Sequence, residues 1–235
     1  MKSRLMIVAT AGAVAVSAVL VAAQGTQKPK YPIPDVKNAQ ITTLEDQYVR
    51  EGYSNEGYVI LGYRATNDQV GKEWIRLEVG ATLRDGKPRF ALKRSDITLD
   101  TPDGKQLTLP TNAEFQQVDV RGLDQQASVV HDSINYFPPT VKGPCQLAFF
   151  AEPNAGGRAY DTTDLDASRG CLGRLYFKVP GGLKYGQHFL NVQFATSKVR
   201  VPFRIFTKEE AKVMQKNWRD IKKQVEEAFK KGGGN

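Results

Sequence analysis

Cysteine, histidine and long apolar runs are what this chain has least of. Of its 235 residues two are cysteine and two are histidine. The cysteines, Cys145 and Cys171, stand far from Cys-x-x-Cys spacing, which argues against a catalytic thiol pair. No Gly-x-Ser-x-Gly elbow surrounds a serine, so the hydrolase signature that elbow carries is missing. No internal repeat is evident, and no EF-hand loop is present. The one long uncharged run, Leu5 to Ala23, lies at the start.

That run sets the expected destination. Lys2 and Arg4 precede it, and Val21-Ala22-Ala23 supplies the small residues a signal peptidase accepts. Residues 1–23 are therefore read as a secretory signal, with an uncleaved membrane anchor as the alternative. No cysteine follows the run, so a lipid anchor is not expected. Residues 24–40, with Pro29, Pro32 and Pro34 among polar residues, read as an extended tether. The expected location is secreted or periplasmic. In such a compartment an even cysteine count points to a Cys145–Cys171 disulfide. Closing 27 residues, it would contribute roughly 3 to 4 kcal/mol in the chain-entropy account.

The net charge is +8, falling to +6 without Lys2 and Arg4. Such a basic chain accommodates an anionic partner, and export makes nucleic acid the least expected one. The expected partners are an unknown protein or an envelope polymer. A membrane enters only through an uncleaved signal anchor.

Alternation dominates the rest. Residues 41–57 suit either a short helix or an edge strand. Tyr58 to Thr66 reads as a strand, and Glu73 to Arg84 places Ile75, Leu77, Val79, Ala81 and Leu83 on one face against Trp74, Arg76, Glu78, Thr82 and Arg84. Asp85-Gly86 suits a tight hairpin turn. Asp96 to Leu99, the turn Thr101-Pro-Asp-Gly104, and Lys105 to Leu109 form the next hairpin. Gln146 to Ala151 reads as a further strand. Leu172 to Val179, His188 to Phe194 and Ser197 to Phe206 predict a three-stranded antiparallel meander with one wet face. Its outer stripe of Arg174, Lys178, Lys198, Arg200 and Arg204 is explained by solubility and by edge protection, with Pro202.

Two stretches have helical periods. Leu123, Ala127, Val130, Ile134 and Phe137 predict an inserted helix near 122–137, stopped by Pro138-Pro139. Thr207-Lys-Glu-Glu210 is a capping box opening a helix over 207–231, with Ala211, Met214, Trp218 and Ile221 on one stripe and residues 232–235 as a frayed tail. Docking of that stripe on the sheet is preferred to a homodimer through paired helices, because fewer than three heptads make an isolated coiled coil marginal.

Several residues could carry function. His188 shares the phase of core residues and reads as a structural imidazole. His131, beside Asp132 and near Ser128 and Ser133, assembles triad residue types, but triads converge in space and not along a chain. No catalytic residue is therefore assigned. Asp161, Asp164 and Asp166 could wrap a hard cation such as calcium, although turn acids bonding their own backbone explain them better. The loop 151–171 is the candidate for function, and Arg158 and Tyr160 within it are the candidate partner contacts.

The layout resembles bacterial secreted immunoglobulin-like domains. Gly173-Arg-Leu-Tyr-Phe-Lys-Val-Pro180 looks like one of their late strands, and the resemblance covers residues 57–206. It implies a mainly β fold, an antiparallel immunoglobulin-like sandwich with one inserted helix and a C-terminal amphipathic helix. The expected function is a non-enzymatic exported binding or interaction module. An envelope hydrolase acting on wall polymer is the alternative, and a calcium-stabilised adhesive or carbohydrate-binding domain is the third reading.

Overall fold

The computed structural model describes residues 40–151 and 158–232. The expected signal and most of the tether lie outside the described residues. Among the described residues, twelve strands, four α-helices and a short 3-10 helix (Arg94–Asp96) follow in order. The strands are β1 (Ile41–Asp46), β2 (Val49–Tyr53), β3 (Gly57–Gly62), β4 (Trp74–Leu83), β5 (Phe90–Lys93), β6 (Ile97–Asp100), β7 (Gln106–Thr108), β8 (Gly143–Gln146), β9 (Thr162–Leu165), β10 (Arg169–Lys178), β11 (Gly186–Gln193) and β12 (Lys198–Ile205). The helices are α1 (Arg64–Asn67), α2 (Asn112–Gln116), α3 (Arg121–Val129) and α4 (Lys208–Gly232).

A six-stranded sheet, ordered β1-β2-β3-β4-β10-β8, faces a four-stranded sheet ordered β12-β11-β6-β7. Strands β5 and β9 form a separate pair. Alternation explains the layering: Leu77 and Val79 of β4 and Val59 and Leu61 of β3 are buried, as are Leu190, Val201 and Phe203 of the second sheet. These join one continuous core. The sheets approach so closely at Gly52 that a Cβ there would meet Val199 and Val201 at 3.0 Å.

The disulfide forms between Cys145 and Cys171, which are direct partners in the parallel pair β8–β10. The hairpin over residues 97–108 is also present, and its turn places Gly104 at φ +79°. The C-terminal helix begins at the expected cap: Glu210 N–H donates to the Thr207 hydroxyl at 3.2 Å, and Thr207 N–H donates to Glu210 at 3.0 Å. Residues 41–57, open between helix and strand, form the β1–β2 hairpin.

Several expectations change. The predicted meander divides, since β10 pairs with β4 and β8 while β11 pairs with β12 and β6. Pro180-Gly-Gly182 makes no hairpin: Gly181 and Gly182 adopt φ of +85° and +82° and carry the chain to the other sheet. Asp85-Gly86 does turn, with φ +77° at Gly86, but β4 and β5 do not pair. The strand placed at Gln146 to Ala151 lies earlier, as β8, because Phe149 and Phe150 leave the sheet to enter the core. The strand expected through Thr66 ends at Gly62 and passes into α1. The stretch 151–171 is not all loop, as it contains β9 and the start of β10.

The inserted helix is shorter than its period implied. It ends at Val129, and the chain then crosses the outer face of the six-stranded sheet as a strap. Asp132 and Ile134 instead meet the sheet at Gly62 and Phe137 at Gly80 and Gly170, one after another. Phe137 lies where Gly80 and Gly170 have no side chain; a Cβ on Gly170 would stand 2.6 Å from its ring. The Asp132 carboxylate accepts from Arg64 N–H at 2.8 Å and Arg64 Nε at 2.9 Å. At the other end of the strap, Tyr176 donates to Asp124 at 2.6 Å and holds α3 on the sheet.

Ala211 and Met214 of α4 pack against the core, while Trp218 and Ile221 stay half-buried.

Candidate functional site

The four-stranded sheet has two edges, and they differ. In the β6–β7 hairpin Thr101 N–H donates to Lys105 C=O at 2.9 Å, and Leu99 lies opposite Leu107. Antiparallel pairs alternate between bonded and non-bonded, so Leu107 exchanges its bonds with Leu99. The same alternation turns the N–H and C=O groups of Gln106 and Thr108 away from β6. No strand among the described residues pairs with that side of β7. Both residues are exposed.

A cleft of about 520 Å³ runs along this open edge. Opposite β7 stand Trp74 and Lys178, cross-strand partners on β4 and β10 and so neighbours on one face of the six-stranded sheet. Val118 and Gln117 close the end beyond α2. The position of α2 follows from its cap: Glu114 N–H donates to the Thr111 hydroxyl at 3.2 Å, and Thr111 N–H and Oγ1 donate to Glu114 Oε2 at 2.8 and 2.9 Å. Those bonds from Thr111, with a smaller contribution from Lys178, hold the Glu114 carboxyl below its usual range. Phe115 then anchors the helix, with its ring 4.8 Å from Tyr176 and 4.7 Å from Phe150. The cleft thus offers an aromatic ring, one charge of each sign, side-chain amides and a row of outward-facing backbone groups. Such a mixture of apolar surface with a few polar groups suits non-covalent binding.

The residues singled out in the sequence lie elsewhere. His188 is fully buried, its ring stacked on Phe203 at 5.2 Å and its Nδ1 3.1 Å from Gly186 C=O. Burial pushes its pKa down. It borders a cavity of about 10 Å³ near Asp103, room for about one water molecule. Asp103 is bound by Thr101, Lys184 and Lys105, and those bonds hold its carboxyl low. His131, Ser128 and Ser133 are exposed. Ser128 donates to Gln125 C=O at 2.7 Å and Asp132 is engaged by Arg64, so these residues do not assemble into a triad.

Asp161 pairs with Arg94 at 3.2 Å, and Asp166 accepts from Ser168 Oγ at 2.7 Å and Arg169 Nε at 2.6 Å. Asp164 is exposed opposite Ala91. Among the described residues no three of His, Cys, Asp or Glu gather as metal ligands would. Arg158 and Tyr160 are both exposed, and Tyr160 N–H donates to Ala148 C=O at 2.8 Å. The outer basic stripe is divided between the two sheets, with Arg174 and Lys178 on β10 and Lys198, Arg200 and Arg204 on β12.

No family model, no curated protein and no solved structure matches this chain. The site therefore rests on its geometry.

Two signals for the cleft were available in the sequence. Thr111-Asn-Ala-Glu114 has the capping-box form and follows Pro110. Trp74 stands among Arg76, Glu78 and Arg84 in the polar phase of its strand, and a large aromatic on a wet face is the informative exception. What joins them is long-range pairing, which no local pattern carries.

Proposed function

We propose that this chain is an exported binding module of the cell envelope or extracellular space, built on an immunoglobulin-like sandwich, and that it holds its ligand in the cleft between β7 and Trp74. The observation that carries this reading is the placement of a sheet edge unpaired among the described residues opposite a half-buried indole across a 520 Å³ opening. The two histidines lend the hydrolase alternative less support, since one is packed in the core and the other is exposed. The calcium reading is supported less as well, because Asp161 and Asp166 already hold Arg94, Arg169 and Ser168. The disulfide and the expected signal support export.

In a Trp218→Phe background Trp74 is the sole indole. Titration with muropeptides, wall oligosaccharides and pooled short peptides should change its emission for one class, and Trp74→Ala should abolish that binding. Binding that survives both Trp74→Ala and Lys178→Glu would move the site elsewhere, with Arg158 and Tyr160 the next to test. Fractionation of cells expressing the full chain should find it outside the cytoplasm with Cys145–Cys171 oxidised; retention in the cytoplasm would overturn the exported part of the reading.

A further inference from the structure

Resting on the cleft reading, we infer that the ligand class is an extended polypeptide segment, which adds to the four-stranded sheet as a fifth strand beside β7. The argument begins with the backbone. Gln106 and Thr108 each direct one N–H and one C=O outward, two residues apart, which is the spacing an incoming strand matches. Sugar hydroxyls both donate and accept, but they do not repeat at the two-residue spacing of a strand's outward N–H and C=O groups.

The length of the ladder is also set. Pro110 shares the outward phase of Gln106 and Thr108 but has no N–H, and its C=O already accepts from Arg94 Nη1 at 2.8 Å. Added pairing therefore stops at Thr108 on that side. A segment of about five residues, roughly 16 Å when extended, fills the row and reaches the end of the cleft.

Side chains of the added strand alternate between two surroundings. One set faces the cleft, where Trp74, Val118 and Leu109 offer apolar contact and Lys178 and Glu114 offer charge at the margin. The other set faces solvent and contributes little to selectivity. The recognised motif is thus expected to repeat with period two, an apolar or aromatic residue at alternate positions.

The opposite edge of the same sheet makes this assignment specific. There Arg200 N–H donates to Gln40 Oε1 at 2.5 Å, and Gln40 Nε2 donates back to Arg200 C=O at 2.6 Å. One side-chain amide copies a strand's pairing and occupies the position. Pro202, next in the same outward phase, removes another donor. Edges left open invite unwanted association, and among the described residues β12 is protected while β7 is left bare beside an aromatic.

The test is selection of random heptapeptides displayed on phage against the disulfide-intact protein, followed by synthesis of the enriched peptide and measurement of its Kd. The inference expects enrichment of sequences with period-two apolar residues. It expects at least tenfold weaker binding to Gln106→Pro and to Trp74→Ala. Because a proline variant could misfold, the peptide is also N-methylated at alternate positions: one alternate set should weaken binding at least tenfold and the other should leave it within about twofold. Equal sensitivity to both sets, or no enriched peptide that depends on Gln106, overturns the strand inference. If wall oligosaccharides bind, Trp74→Ala abolishes that binding and Gln106→Pro does not, the cleft reading stands and the peptide inference falls. Loss of neither interaction on Trp74→Ala overturns the cleft itself.

Discussion

Along β12 the outward backbone of Arg200 is taken by Gln40 and the next outward position is a proline, with Lys198, Arg200 and Arg204 exposed on the same strand. Along β7, three residues long, the outward groups of Gln106 and Thr108 meet a cleft faced by Trp74 and Lys178. Both are edges of one sheet, and both belong to a protein expected to work outside the cell. The difference shows that edge protection is applied locally. One edge is blocked by a side chain that imitates a partner; the other, on the proposed reading, is kept free for one.

The contrast can be broken most directly by proline. Leu107→Pro removes an N–H that faces β6 and should cost roughly 3 kcal/mol or more, whereas Gln106→Pro removes one that faces outward and should cost under about 1 kcal/mol. Urea unfolding of the two variants checks this; equal losses would mean that the bonding alternation along β7 is misassigned.

A pH experiment separates edges from faces. Glu51, on the outer face of the six-stranded sheet, is 1 % exposed, and its Oε1 has no partner among the described residues. Burial, with Glu45 nearby, pushes its carboxyl up to about 8. A raised carboxyl leaves stability intact below its ordinary unfolded value near 4.5, and that contribution is lost as pH rises through about 8. Glu51→Gln should therefore stabilise the protein at pH 9 by several kcal/mol, and scarcely at all at pH 4. Melting across that range tests it, and peptide binding at β7 should be unchanged by the substitution.

Gln40→Ala should cost about 1 kcal/mol through the two bonds to Arg200. It should also raise concentration-dependent association by opening β12, as sedimentation would show. The smallest effect is expected for Lys178→Gln, which should leave the melting temperature within about a degree, since surface charges contribute little, while shifting preference among enriched peptides away from acidic residues.

Much of the scaffold was legible in the residues. The faces of β4, the hairpin at Thr101 to Gly104, the disulfide and the Thr207 cap follow from periodicity, turn chemistry and cysteine count. The path of residues 130–137 was not legible. Its apolar spacing fits a helix, but Gly80 and Gly170 leave a depression that accepts Phe137, and tertiary packing overrode the local period. The sheet assignment of β10 was hidden for a related reason: alternating runs broken at Pro180-Gly-Gly182 fit one meander, and only the surrounding sheets show that this break carries the chain from one to the other. The cleft residues Trp74, Gln106 and Glu114 are far apart in sequence, so each was visible alone and their juxtaposition was not.

The central claim is that, among the described residues, β12 is occupied along its outward side and β7 is not. Amide hydrogen exchange measured by NMR on the disulfide-intact protein addresses it residue by residue. The Arg200 amide should be protected and should lose that protection in Gln40→Ala, while the amides of Gln106 and Thr108 should exchange nearly as fast as unstructured peptide and Leu107 slowly. Strong protection at Gln106 and Thr108 in the free protein would contradict the account, because it would mean that the open edge is already paired.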